Sequence, residues 1–306
     1  MQRSSSPSQE NLSNMAIITA VVAVSFSAIF IRWSNAHPFV IAAYRMGFTC
    51  LILLPFVVAK YKDEFKKIQK DELIFMVAIG MVLALHFGSW ITSLEETSVA
   101  SSVILVTSHP IFVAIVAHYL FREKLKTIGY VGIVVAFTGI IVLTAGDMGL
   151  GGSNFRGDIL ALIGSIAAGI YILGGRKARR TISLVPYVFI VYGICTLCLL
   201  GACVAVSAKL YPLPIEEYEL FIVMAIVPTI LGHTMYNYAL KYVKAQIISV
   251  SILGEPIGST ILAFILLNEA PPEFTVFGGA LILPGIYMAY IGRKTKKEPD
   301  KIKDEK

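Results

Sequence analysis

The sequence predicts an all-α integral membrane protein with ten transmembrane helices, arranged as two inverted five-helix repeats. Three observations predict this fold class. First, the 306 residues are 56% hydrophobic and 15% charged, with a mean hydropathy of +0.75, which is far more apolar than a soluble domain. Second, ten apolar segments approach the length needed to cross a bilayer core of about 30 Å. Third, the second half of the chain repeats residues of the first half at a constant offset.

The apolar segments divide the chain into five regions. Residues 1–14 are polar and are expected to form a disordered cytoplasmic N-terminus, and residues 292–306 form a basic cytoplasmic tail. Between them we predict a first five-helix repeat over 15–145, an extracytoplasmic linker over 146–156 and a second repeat over 157–291. The ten segments are 15–32, 38–59, 72–93, 98–121, 127–145, 157–175, 184–208, 219–239, 245–267 and 274–291.

Charges in the loops predict the orientation. Lysine and arginine are concentrated in the loops on the side of the two termini, whereas the opposite loops are mainly acidic. By the positive-inside rule, both termini are therefore cytoplasmic in a multi-pass protein of the cell membrane. Arg32 and Arg156 lie on the opposite side and are expected to be solvated loop charges of little consequence. The net charge of +6 follows from this topology and does not indicate nucleic-acid binding.

The repeat is visible when the second half is moved back by 146 positions. Glu255 then falls on His109, and a proline, a glutamate and a pair of glycines coincide without a gap. Because each repeat has five spans, an odd number, the second must enter the membrane in the opposite direction. Inverted repeats of this kind are typical of secondary transporters, whose binding site lies near the midplane between the repeats. The coinciding pairs are Pro110 with Pro256, Glu123 with Glu269, Gly132 with Gly278, and Gly139 with Gly285.

The ninth segment carries a carboxylate, Glu255, within its apolar run and next to Pro256. A carboxylate at this depth costs at least about 2.5–3.5 kcal/mol, so it normally faces a partner or a water-filled cavity. The proline cannot donate to the carbonyl of Ile252 and breaks the helix there. We interpret Glu255 as a substrate-binding or proton-coupling residue and Pro256 as a hinge. The alternative is a structural carboxylate that is hydrogen-bonded to a neighbouring helix.

His109 and Pro110 are the counterparts of Glu255 and Pro256 in the fourth segment. A histidine can change its charge near neutral pH, so His109 is a second candidate for substrate binding or coupling, and Pro110 is a second candidate hinge. A histidine that only hydrogen-bonds to a backbone carbonyl is an equally good interpretation.

Arg45 lies about 10 Å inside the second segment, within reach of the membrane surface for a long side chain. Its planar guanidinium suits a carboxylate or another anion of the substrate. The alternative, which we favour from the sequence, is a structural ion pair or backbone contact near the mouth of the site.

Two further segments pair an aromatic residue with a polar one at a spacing of four. His86 and Trp90 share one helix face in the third segment, and His233 and Asn237 share a face in the eighth. Tyr236 occupies the position equivalent to Trp90. Such residues suit the wall of a substrate cavity, although aromatic packing between helices explains them equally well.

Taken together, the chain resembles the EamA-like ten-helix transporters of the drug/metabolite transporter superfamily over residues 15–291. Many relatives have an uncharged residue in place of His109, so this histidine sets the chain apart. The residues that carry the resemblance are Pro38 with Tyr44-Arg45, His109-Pro110 with Phe121-Arg-Glu123, Glu255-Pro256 with Leu267-Asn-Glu269, and the glycine pairs Gly132/Gly139 and Gly278/Gly285.

The resemblance implies export or exchange of a small metabolite, such as an amino acid or a related compound, by alternating access. The sequence contains no Walker loop, HExxH helix or GxSxG elbow, so we predict no enzymatic activity, cofactor or metal. An intramembrane enzyme and a receptor or scaffold without transport are the alternative functions. The expected partners are the lipid bilayer and a small-molecule substrate, with proton coupling and a homodimer left open.

Overall fold

The protein is built from apolar helices. The computed structural model describes residues 7–112, 126–150, 152–179, 181–239 and 251–292, and this part of the chain contains no strand. Its helices before residue 113 are α1 (Pro7–Ser25), α2 (Ser27–Trp33), α3 (Pro38–Phe56), α4 (Lys62–Phe65), α5 (Lys70–Glu96) and α6 (Val99–Val106). The helices after residue 125 are α7 (Thr127–Leu150), α8 (Gly152–Ala178), α9 (Leu184–Ala205), α10 (Ile215–Met224), α11 (Met235–Ala239), α12 (Gly254–Leu267) and α13 (Glu273–Ile291).

Within the described ranges, seven helical stretches are long and apolar enough to cross a membrane. The other three predicted segments coincide with shorter apolar helices over Val99–Phe112, Gly254–Leu267 and Glu273–Ala289. The first two of these adjoin residues 113–125 and 240–250, which lie outside the described residues, so ten spans remain a prediction. Large apolar side chains such as Val134, Ile141 and Phe264 are exposed on the exterior, as a surface in contact with lipid requires.

Helices extend beyond two of the predicted boundaries. Helix α1 begins at Pro7, so residues 7–14, which we expected to be disordered, are helical. Likewise, α7 reaches Leu150 and α8 begins at Gly152, so most of the predicted 146–156 linker is helical. Apolar composition marks the part of a helix that lies in hydrocarbon, whereas backbone hydrogen bonding continues into the polar residues beyond it. The helical residues of the predicted linker therefore extend α7 and α8, and its extracytoplasmic position stays a prediction.

Helices α7 and α13 pack at very short range through glycine. A Cβ atom on Gly139 would lie 2.7 Å from the carbonyl oxygen of Gly278, and one on Gly285 would lie 2.8 Å from that of Gly132. Rising residue numbers in α7 thus meet falling numbers in α13, so the two helices are antiparallel. Small residues at these positions let the two backbones touch.

Two helices are interrupted just before Pro110 and Pro256, the two prolines that we predicted to be hinges. Helix α6 ends at Val106, a turn covers Thr107 and Ser108, and helical structure resumes at His109. A turn at Ile252 and Leu253 precedes α12 in the same way. Helices α6 and α12 pack against each other, so both interruptions lie in one region of the bundle.

Candidate functional site

Arg45, on α3, is the centre of the candidate site and is completely buried. Its Nε donates a 2.8 Å hydrogen bond to Thr229 Oγ1, and its Nη1 donates a 2.9 Å bond to Ser27 Oγ. The guanidinium carbon lies 4.7 Å from the centre of the Phe87 ring, within the range of a cation–π interaction. The third nitrogen, Nη2, has no hydrogen-bond partner among the described residues. The sequence placed Arg45 within reach of the membrane surface, but its side chain is held between helices instead.

Thr229 reaches Arg45 because the eighth span is locally distorted. Pro228 has no amide hydrogen, so the carbonyl of Met224 loses its normal helical partner. The Thr229 hydroxyl donates a 2.8 Å bond to that carbonyl and accepts the bond from Arg45. The surrounding stretch, Ala225–Thr234, is π-helical, a conformation that is frequent at functional sites.

Glu255 lies in the first turn of α12, beside the interruption that precedes Pro256. Its amide donates to the carbonyl of Ile252, the group that Pro256 leaves without a helical partner. The side chain is half-buried and lies within electrostatic range of Arg45 and Tyr236. No ion pair joins Glu255 to Arg45 in the described part of the chain. Glu255 and Arg45 therefore interact electrostatically without direct ion-pair contact among the described residues.

His109 occupies the equivalent place in the first half and is almost fully buried. Its Nδ1 lies 3.3 Å from the carbonyl oxygen of Val106, the group that Pro110 deprives of its helical partner. Since a carbonyl only accepts, Nδ1 carries the hydrogen and Nε2 remains as an acceptor in the neutral ring. The backbone contact that we considered from the sequence is present, and it leaves one ring nitrogen available.

His86 and Trp90 share one face of α5, with nearly parallel rings whose centres are 6.0 Å apart. The Nδ1 of His86 lies 2.9 Å from the carbonyl oxygen of Gly164 on α8, which again leaves Nε2 as the acceptor. The ring of Phe87, next to His86, meets His233 edge-on at 5.7 Å. These rings contact one another, and the Phe87 ring lies against the Arg45 guanidinium.

His233, Tyr236 and Asn237 lie on the segment that runs from the π-helical stretch into α11. His233 is within electrostatic range of Arg45, His86 and His109. The amide nitrogen of Asn237 donates 2.9 Å bonds to the carbonyl of His233 and to the hydroxyl of Tyr171 on α8. The eight predicted site residues therefore lie in one connected region, which joins α3, α5, the helical turn after α6, the π-helical stretch with α11, and α12.

The sequence did not single out Ser27, Phe87, Tyr171 or Thr229, which complete this region. Each is an ordinary residue for an apolar helix, and its importance depends on contacts with distant parts of the chain. Only Thr229 had a visible signal, because it follows a proline inside a predicted span. Among the described residues, no group of three His, Cys, Asp or Glu side chains is placed to bind a metal ion.

Two open cavities lie away from this region. One, of about 670 Å³, is an apolar groove between α3 and α9 that is lined by Gly47, Phe48 and Phe189, among others. The other, of about 510 Å³, lies at the end of α2 and is lined by Trp33 and Glu217, among others. The described residues that line them include none of the predicted site residues, so the candidate site does not form part of either cavity.

Comparison with known proteins gives a consistent result. The model of the EamA-like transporter family matches residues 11–145 and again residues 155–291. An uncharacterised transporter of Archaeoglobus fulgidus is 26% identical over 286 residues, covering 90% of this chain and 96% of that protein. An S-adenosylmethionine uptake transporter of Rickettsia prowazekii is 25% identical over 264 residues, covering 86% of each chain.

A solved crystal structure has the same fold. It superposes with a TM-score of 0.62 and covers 92% of this chain and 98% of the other, with 16% sequence identity. The arrangement of helices is therefore one that an experimentally determined protein adopts over nearly its full length.

Proposed function

We propose, from the premise that this chain belongs to the EamA-like transporter family, that it is a secondary transporter which moves a small metabolite by alternating access. One observation carries the proposal: a fully buried arginine and a half-buried glutamate lie near each other beside two interrupted helices. Charges and broken helices inside a membrane bundle are characteristic of substrate sites in such carriers.

The pairing of the helices supports an inverted repeat. The family model matches two consecutive parts of the chain, and α7 and α13 are the last helices of those parts. Because α7 and α13 are antiparallel, this pair of equivalent helices runs in opposite directions, as an inverted repeat requires. The packing partners of equivalent helices also correspond. Helix α8, which begins the second part, packs against α5 and α6 of the first part. Helix α1, which begins the first part, packs against the π-helical stretch and α12 of the second part.

We propose that the substrate carries both a carboxylate and an amino group, as an amino acid or a related compound does. Arg45 Nη2 is a buried charged donor with no partner among the described residues, and such a group is costly unless something binds to it. A carboxylate suits this donor, and the neighbouring Glu255 suits an ammonium group. The rings of Phe87, His86 and Trp90 offer a surface for the rest of the molecule. S-adenosylmethionine, the substrate named for the Rickettsia relative, meets this description.

The direction of transport is proposed as exchange. The resemblance implies export or exchange, whereas the Rickettsia relative is named for uptake. A secondary carrier works in both directions and follows the gradients of its substrate and of any coupled ion, so exchange is compatible with both. Glu255 is the residue through which we propose that a proton gradient acts.

The test is transport by the purified protein in liposomes. Liposomes loaded with unlabelled S-adenosylmethionine, or with amino acids in turn, receive the labelled compound outside. We expect saturable exchange of at least one such compound, and its loss when the carboxylate or the amino group is removed. Arg45→Lys keeps the charge but loses the planar donor set, so the KM should rise about tenfold. The exposed Arg156→Lys is the matched control and should leave the KM unchanged.

Three results would contradict the proposal. Chemical alteration of the compound would indicate an enzyme. Saturable binding without flux would indicate a receptor. An equal rise in KM for Arg45→Lys and Arg156→Lys would mean that Arg45 does not bind the substrate, although the protein would still be a transporter.

A further inference from the structure

Glu269 joins three helices at one end of the bundle, on the side that the loop charges predict to be extracytoplasmic. Its Oε1 accepts a 2.6 Å hydrogen bond from the amide of Val99, the first residue of α6. Its Oε2 lies 3.3 Å from Arg32 Nη2, at the end of α2. The same Arg32 nitrogen donates a 3.0 Å bond to the carbonyl of Thr97. Arg32 is therefore not the freely solvated loop charge that we expected.

The end of α12 places the carboxylate there. Asn268 adopts a left-handed conformation with a φ of 53°, which ends the helix, and the amide of Glu269 bonds back to the carbonyl of Ala263. Glu269 thus follows the end of α12, and its carboxylate contacts the beginning of α6, the other interrupted helix. Since the first amides of a helix have no partner within it and carry partial positive charge, α6 is a natural site for this carboxylate.

Beneath this contact lies a closed apolar seam. Val99, Val103 and Val106 are buried along one face of α6 and belong to the same core cluster as Ile29 of α2 and Ala263 of α12. The seam extends from the Glu269 contact toward His109, three residues beyond Val106. In the described part of the chain, these buried side chains lie along α6 between the Glu269 contact and the candidate site.

We infer that Arg32 and Glu269 form a latch that holds this side of the transporter closed, and that the latch must separate for the site to open there. The inference rests on the proposed transport function, because only alternating access requires the seam to part. The strength of the contact suits this role. Arg32 and Glu269 side chains are 31% and 25% exposed, so water can replace the ion pair when the helices separate.

The test measures exposure of the seam without requiring transport. Val103→Cys is introduced into a protein whose four cysteines, all free, are replaced by serine. The rate of maleimide labelling is then measured in lipid nanodiscs, without substrate. Because Val103 is fully buried, the thiol introduced there should react slowly while the latch is intact. Glu269→Gln removes the negative charge of the ion pair, and Arg32→Gln removes the positive charge. Each variant should therefore raise the labelling rate about three- to tenfold.

Arg156→Gln is the matched control. Arg156 pairs with Glu96 at 3.2 Å and is likewise replaced by glutamine, but it joins α8 to α5 and does not cross the seam. It should leave the labelling rate unchanged. The latch is wrong if Glu269→Gln and Arg32→Gln both label like the parent, or if Arg156→Gln labels as fast as they do. Transport assays on the same proteins report separately on the proposed function, because a carrier without this latch would still show exchange.

Discussion

The hydroxyl of Thr229 accepts a hydrogen bond from Arg45 and donates one to the carbonyl of Met224, so one oxygen serves a buried cation and a carbonyl freed by Pro228. Thr229→Val keeps the shape but leaves both groups without this partner. We expect a loss of about 2–3 kcal/mol in the free energy of unfolding, measured by denaturation in detergent. Thr229→Ser keeps the hydroxyl and should lose much less. Equal losses would mean that the methyl group, and not the hydroxyl, matters.

Glu255 gives a prediction about energy coupling. Glu255→Gln keeps the shape and hydrogen-bonding capacity but cannot exchange a proton. We expect the variant to fold and to exchange substrate between the two sides, while accumulation driven by a pH gradient is lost. Uptake into liposomes with and without an imposed gradient measures both properties. If accumulation persists with the pH dependence of the parent protein, Glu255 does not couple protons to transport.

For individual residues, the sequence revealed the charged side chains but not the groups that they contact. Arg45 and Glu255 are conspicuous because ionised groups are rare in apolar segments. Thr229 is common in such segments, and its contact with Arg45 joins positions 184 residues apart. Glu269 was noticed only as a match to Glu123, which lies outside the described residues, and as part of the Leu267-Asn-Glu269 motif. Its bonds to Arg32 and Val99 depend on three helix ends that meet in space, which a linear pattern does not reveal.

The pairing of α7 with α13 leads to a prediction at the scale of the helix. A methyl group on Gly139 would lie 2.7 Å from the carbonyl oxygen of Gly278, closer than such atoms can approach. Gly139→Ala should therefore destabilise the protein by about 1–3 kcal/mol, because the helices must move apart. Gly201, on α9, has no atom within 4 Å of the same position.

Gly201→Ala is the matched control, since it makes the same chemical change in open space. It should be neutral or should stabilise the helix by about 0.5–1 kcal/mol, because alanine has less backbone freedom to lose. Unfolding midpoints of both variants test the pair. Equal destabilisation would mean that the cost comes from the helix backbone and not from the contact with α13.

Sequence patterns predicted where helices lie better than where they end or break. The apolar run at 127–145 corresponds to α7, but α7 continues to Leu150 because polar residues also form helices outside hydrocarbon. Pro256 and Pro110 predicted the interruptions, since proline lacks the amide that a helix needs. The π-helical stretch over Ala225–Thr234 was not foreseen, because Pro228 signals a break in helical hydrogen bonding but not the conformation that replaces it.

For the whole molecule, the predicted orientation can be tested in intact cells. Tyr211 is highly exposed between α9 and α10, on the side predicted to be extracytoplasmic. Lys66 is exposed between α4 and α5, on the opposite side. In a cysteine-free protein, Tyr211→Cys should react with an impermeant thiol reagent, and Lys66→Cys should react only after the membrane is permeabilised. The reverse pattern would overturn the orientation and place the Arg32–Glu269 latch in the cytoplasm.

The glycine contact between α7 and α13 also limits where solute and water can pass. The two helices touch at Gly129 with Gly292, at Gly139 with Gly278, and again at Gly146 with Phe274. From Gly129 to Gly146, α7 rises about 25 Å, most of the thickness of a bilayer core. Backbones in contact over that depth leave no permeation path between them. This helix pair is therefore a barrier, and the substrate route that we propose past Arg45 does not run between α7 and α13.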